Sequence, residues 1–181
     1  MKKLLYIFTT VLIVACSNEP VFSSDDGLYR WSFKLDGQLY EWEGTLSNDP
    51  NNLGASLYGD GLLTLGSQSS SGSEGISVTC MFPTINTGNF TFDSTDNFQI
   101  SFNDTNLLSS TIYSTILYGG QINVNISSLS NNTVVENPFN PGKVIGTFDG
   151  VIEGKIIPVG SAPSDVTGII TEGVFEAVRT N

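Results

Sequence analysis

From Leu28 onward, apolar and polar residues alternate with a period of two, and the alternating runs are separated by Gly, Asn, Asp and Ser. That pattern predicts half-buried β-strands joined by short turns. In LYRWSFKL, Tyr29, Trp31, Phe33 and Leu35 fall on one face, while Arg30, Ser32 and Lys34 fall on the other. Asp36-Gly37 follows, a pair that tolerates positive φ at both central positions of a type I′ hairpin turn. The return run QLYEWEGTL places Tyr40, Trp42 and Leu46 on one face and Glu41 and Glu43 opposite. Large aromatics from both strands therefore meet across this hairpin and are expected to anchor the core.

Further strands are expected over Ala55 to Tyr58, Leu62 to Leu65, Ile76 to Phe82 and the short NTGNFTF run. Phe98, Ile100 and Phe102 alternate against Gln99 and Ser101. Thr111 to Tyr118 is expected to pair with Gln121 to Ser127 through Gly119-Gly120, as a second tight hairpin. In its return strand Ile122, Val124 and Ile126 face inward, and Asn123 and Asn125 face out. Gln68 to Gly75, QSSSGSEG, reads as a loop, and Ser128 to Gly142 as a longer one around Phe139. KVIGTFDGVIEG reads as a long strand, and Ile169 to Arg179 closes the fold with a bulge expected at Gly173. No run after residue 27 has a sustained helical period, so about ten strands predict an antiparallel β-sandwich, with a closed lipocalin-like barrel second.

Ahead of this domain, Met1, Lys2 and Lys3 form a cationic head, Leu4 to Ala15 an apolar run, and Ala15 stands before Cys16. This is the order of a secretory signal, and the run is shorter than the roughly 20 apolar residues a membrane-spanning helix needs. Ile13-Val14-Ala15-Cys16 resembles the bacterial lipobox, in which the cysteine is acylated and the preceding peptide removed. The expected organisation is a lipoprotein signal peptide at 1–15, a lipidated flexible tether at 16–27 and one all-β domain at 28–181. Ordinary cleavage after Ser17 is the alternative, and it would release a soluble chain.

Seven basic and eighteen acidic residues give a net charge of −11, which becomes −13 once Lys2 and Lys3 are removed. Such a body repels phosphate backbones, so nucleic acid is excluded as a partner. With Cys16 acylated, Cys80 has no disulfide partner, and its alternation with Ile76, Val78 and Phe82 makes it a packed core thiol. The chain has no histidine, which removes imidazole-bound metals and Ser-His dyads, and no cofactor is expected. The remaining catalytic set is Glu41 and Glu43, whose Cβ atoms lie about 7 Å apart on one strand face, a separation compatible with glycosidase carboxylates. Solvated edge charges are the plainer reading of that pair. Asp49, Asp60, Asp93, Asp96 and Asp104 lie in loops that offer oxygen ligands for calcium, but none has the spacing of an EF-hand loop, and Asx turns account for them. Tyr58, Tyr113, Tyr118 and Phe139 are not committed to the core by the alternation and form the candidate binding surface.

The lipobox, the hairpin FKLDGQLYEWEG, the NTGNFTF segment and the closing VIGTFDGVIEG and ITEGVFEAVR runs together resemble a family of small Bacteroidota lipoproteins whose function is uncharacterised. The resemblance implies an all-β domain held by lipid at the cell envelope, most naturally at the outer membrane, on its periplasmic or surface face. It assigns no active-site residue. The expected function is a non-catalytic binding or structural module for a glycan or envelope protein. A carboxylate-dependent hydrolase and a lipocalin-like carrier of small ligands are the alternatives.

Overall fold

The computed structural model describes residues 28–45, 54–58, 61–68, 74–104, 109–130 and 142–180. Alternation becomes eleven strands within them, with no helix: β1 (Leu28–Leu35), β2 (Gln38–Thr45), β3 (Ala55–Tyr58), β4 (Leu62–Gln68), β5 (Glu74–Met81), β6 (Gly88–Phe92), β7 (Phe98–Asp104), β8 (Ser109–Ser114), β9 (Gly120–Leu129), β10 (Gly142–Pro158) and β11 (Ser164–Thr180). Cys16 and its signal, the tether, Leu46, Asp49, Asp60 and Phe139 lie outside the described residues.

The two long strands β10 and β11 pair antiparallel from Gly142 opposite Arg179 to Ile156 opposite Ser164, forming a spine. Strands β1 and β2 add to the β11 side, and β9 and β6 to the β10 side, giving a first sheet in the order β2-β1-β11-β10-β9-β6. Strands β3-β4-β5-β7-β8 complete a single eleven-stranded sheet and form its second layer, the second sheet, around the shared core. Both margins of this second sheet are hydrogen-bonded to the spine. Strand β8 pairs with Gly154 to Pro158 of β10, and β3 runs parallel to Val178 to Thr180 at the far end of β11. Because the two attachments sit at opposite ends of the spine, the second sheet crosses the first diagonally. A ring of seven strands closes around the core, and among the described residues β2 and β6 are the edge strands of the first sheet.

Aromatic side chains fill the interior. Rings follow one another from Trp31 to Phe33 (5.8 Å between centroids), Phe148 (5.5 Å), Phe98 (6.0 Å), Phe92 (5.9 Å) and Phe82 (5.4 Å), so a connected file runs from β1 to the segment after β5. Trp31 also donates its indole N–H to the Gly54 carbonyl at 2.8 Å, which satisfies the one polar atom its burial would strand. The first hairpin is as expected: Trp31 faces Trp42, Phe33 faces Tyr40, and Asp36 and Gly37 take φ of 51° and 83°.

The second expected hairpin does not form. Strand β8 ends at Ser114 and pairs with β7 and β10, while β9 pairs with β10 and β6, so the two are not partners. Between them the chain makes one helical turn, with the Tyr118 N–H donating to the Ser114 carbonyl at 2.9 Å and the Gly119 N–H to the Thr115 carbonyl at 3.1 Å. Buried Thr115 pins that turn to β7: its hydroxyl accepts the Phe98 N–H at 3.0 Å, and its own N–H donates to the Phe98 carbonyl at 3.0 Å. Gly119 and Gly120, with φ of 113° and 106°, form the corner at which the chain leaves one sheet for the other along the same edge of β10. The loop expected over Gln68 to Gly75 is shorter than its composition implies, since Gln68 pairs with Gly75 at the ends of β4 and β5.

The bulge near Gly173 is present. Strand β11 holds one residue more than both neighbours, because Ser32 and Lys34 face Val174 and Thr171, while Phe148 and Gly150 face Gly173 and Ile170. Glu172 takes a φ of 55° there. The extra residue shifts the inward parity, so Ile170 faces the core before the bulge and Phe175 and Ala177 after it.

Candidate functional site

The outward side of the first sheet is laid out in regular rows, exposed along β2 and along β6, β9 and β10, and buried along β11 at Val174, Glu176 and Val178. Pairing registers align its side chains in rows that cross all six strands, a width of about 24 Å at the usual interstrand spacing of about 4.8 Å. One row runs Glu41, Ser32, Val174, Thr147, Asn125 and Asn89. The next toward the bulge includes Leu39, Lys34 and Thr171 on one side of the spine and Asp149, Asn123 and Thr91 on the other. The row on the opposite side runs Glu43, Arg30, Glu176, Ile145 and Ser128.

The three regions of this face differ in charge. At the β2 margin Glu41 and Glu43 are exposed, and Glu43 lies 3.8 Å from the Arg30 guanidinium. Toward the spine, Arg30 lies 3.5 Å from Glu176, and the Lys143 ammonium donates to the other Glu176 oxygen at 2.6 Å. Glu176 has no exposed surface, so these cations offset the cost of holding its carboxylate out of water. Lys143 also stands 5.1 Å from the centre of the Tyr29 ring. Burial, followed by the nearby Glu176 charge, raises the Tyr29 phenol above its usual pKa. At the bulge, Lys34 and Glu172 pair at 2.7 Å. Beyond β10 the charges give way to amides and hydroxyls: Asn125 donates to Asn89 at 2.5 Å, and Thr91 donates to Asn123 at 3.3 Å.

Alternation alone does not reveal Glu176, because the run VFEAV carries a charge where a strand buried on both faces needs an apolar residue. The signal was the pair of valines at positions 174 and 178 on either side of it, both buried on that face.

The aromatic candidates separate. Tyr58 is 46% exposed at the end of β3. Tyr118 is half-buried in the turn after β8, with the Lys155 ammonium 5.9 Å from its ring centre. Tyr113 is not a surface residue: it is 5% exposed, and its ring occupies the space that side chains at Gly154 and Gly168 would need. A ring packed over two glycines belongs to the core, and Tyr113 continues into a T-shaped contact with Phe102 at 6.2 Å. The structure therefore brings none of these rings together as a platform with Glu41 and Glu43.

Cys80 is fully buried, and loss of solvation pushes its thiol far above the usual range, so it is held as an unreactive thiol. Asp93 accepts the Thr95 N–H and hydroxyl, each at 2.8 Å. These bonds lower its pKa and make the Asp93 segment an Asx turn. Among the described residues, no group of three or more acidic or cysteine side chains is placed to hold a metal ion.

No family model matches the chain, and neither a curated protein nor a solved structure matches it.

Proposed function

We propose that this protein is a lipid-anchored envelope lipoprotein of the kind its lipobox and closing strands resemble, and that its β-domain is a non-catalytic module that binds a glycan or an envelope protein. The observation that weighs most is the outward face of the first sheet, laid out in regular rows across six strands, where Glu43, Glu172 and Glu176 are paired with Arg30, Lys34 and Lys143. Glycosidase carboxylates flank a cleft that holds the scissile bond between them, whereas Glu41 and Glu43 stand on one face of a single strand, exposed to solvent. A carrier needs interior space, and the file of rings from Trp31 to Phe82 occupies the space between the sheets.

Fractionation of cells expressing the full chain tests the anchor. The wild type is expected in the membrane fraction, with an acyl adduct on a mature chain beginning at Cys16, and Cys16→Ser in the soluble fraction. A native chain beginning after residue 16 and carrying no acyl group would sink the proposal. Glycan-array and envelope pull-down experiments test the binding role, and blank results in both count against it.

A further inference from the structure

We infer that the β6-β9-β10 quarter of the outward face is a binding strip for an uncharged polysaccharide. The inference rests on the binding role proposed above and names its ligand class. Two rows of the grid cross this quarter: Asn89, Asn125 and Thr147 in one, and Thr91, Asn123 and Asp149 in the other. Five of these six side chains are uncharged groups with both donors and acceptors, or a hydroxyl that serves as either, which matches the hydrogen-bonding character of sugar hydroxyls.

Two features distinguish the strip from an ordinary polar surface. Neighbouring side chains are bonded to one another across the strands, Asn125 to Asn89 at 2.5 Å and Thr91 to Asn123 at 3.3 Å, and each bond restrains the rotamers of the side chains it joins. Groups oriented in advance lose less side-chain entropy when a ligand docks. The strip is also free of cations, in a chain of net charge −11. Asp149 at its spine edge adds a negative charge, so a polyanion is repelled while a neutral chain is not. Within a row the groups stand about 4.8 Å apart from strand to strand, a pitch comparable to one sugar ring. A polysaccharide lying across the strands can thus repeat one contact along the row. Among the described residues, β6 has β9 as its one strand neighbour.

Affinity electrophoresis of the full chain in detergent, through gels containing mannan, xylan or soluble starch, tests the inference, with heparin as the polyanionic control. Retardation by at least one neutral polysaccharide and none by heparin is expected. The double substitution Asn123→Ala with Asn125→Ala is expected to weaken that retardation at least tenfold, while Glu41→Gln with Glu43→Gln leaves it unchanged. Both pairs change exposed or half-exposed positions, and a thermal melt of each variant verifies folding; if the asparagine pair unfolds, Thr91→Ala with Thr147→Ala replaces it, with the same expected loss. Retardation that survives loss of the asparagines in a folded variant overturns the inference, as does loss with the glutamate pair alone. No retardation by any of the three also overturns it. Capture of an envelope protein in that case would leave the broader binding role standing.

Discussion

Glu176 shows how a single position can be costly and still be kept. Its carboxylate is fully buried, yet Lys143 and Arg30 reach it from the two strands flanking β11. Glu176→Gln removes the charge and leaves two cations only 13% and 19% exposed facing one another's field. Breaking a fully buried pair costs about 3 to 5 kcal/mol, and here about 2 to 4 kcal/mol is expected because both cations keep some water. Equilibrium denaturation in urea measures it. Tyr113 gives a second test at this scale. Burial, and after it the charges of Asp36 and Tyr40, raise its phenol above the unfolded value of 10.0. Its contribution to stability is therefore complete below pH 10.0 and is lost as pH rises through the higher folded value. Tyr113→Phe has no proton to lose, so its melting temperature is expected to fall less steeply over that alkaline window than that of the wild type.

Individual elements were legible where a local rule decides them. Asp36-Gly37 needs positive φ at two adjacent residues, a demand few sequences meet, so the first hairpin could be read from two letters. Gly37→Ala meets no neighbour within 4 Å but must hold a φ of 83°. A loss of about 1 kcal/mol is expected from that strain alone, measurable by thermal melting. Gly119-Gly120 carries the same turn chemistry and does something else. Its role is set by Thr115, which bonds to Phe98 seventeen residues earlier and turns β8 away before it can reach β9. Tyr113 escaped the sequence reading for a related reason, since the glycines beneath its ring lie at positions 154 and 168 of other strands. The amide rows were half visible, with Asn123 and Asn125 facing out, but their partners Asn89 and Thr91 joined them only through the pairing of β6 with β9.

At the scale of the whole molecule, the diagonal attachment of the second sheet sets where the fold is firm. Strands β10 and β11 hold both margins of the second sheet and are paired on both sides over most of their length, while among the described residues β2 and β6 each have one neighbour. Native-state hydrogen exchange is expected to rank accordingly: amides at Ile152 and Phe175 slowest, at the global rate, and the unpaired edge amides of β2 and β6 fastest. Equal protection across the first sheet would contradict the spine as the stable unit.

Period-two alternation, turn pairs and the glycine in ITEGVF were enough to establish the all-β class, the first hairpin and the bulge, because each depends on residues within a few positions of one another. The tertiary structure alone decided that the strands close into a ring, that Glu176 is buried, and that amides and hydroxyls from three strands share one surface. Those outcomes depend on which strands become neighbours, and that choice is made by packing across the core among residues that lie far apart in the chain.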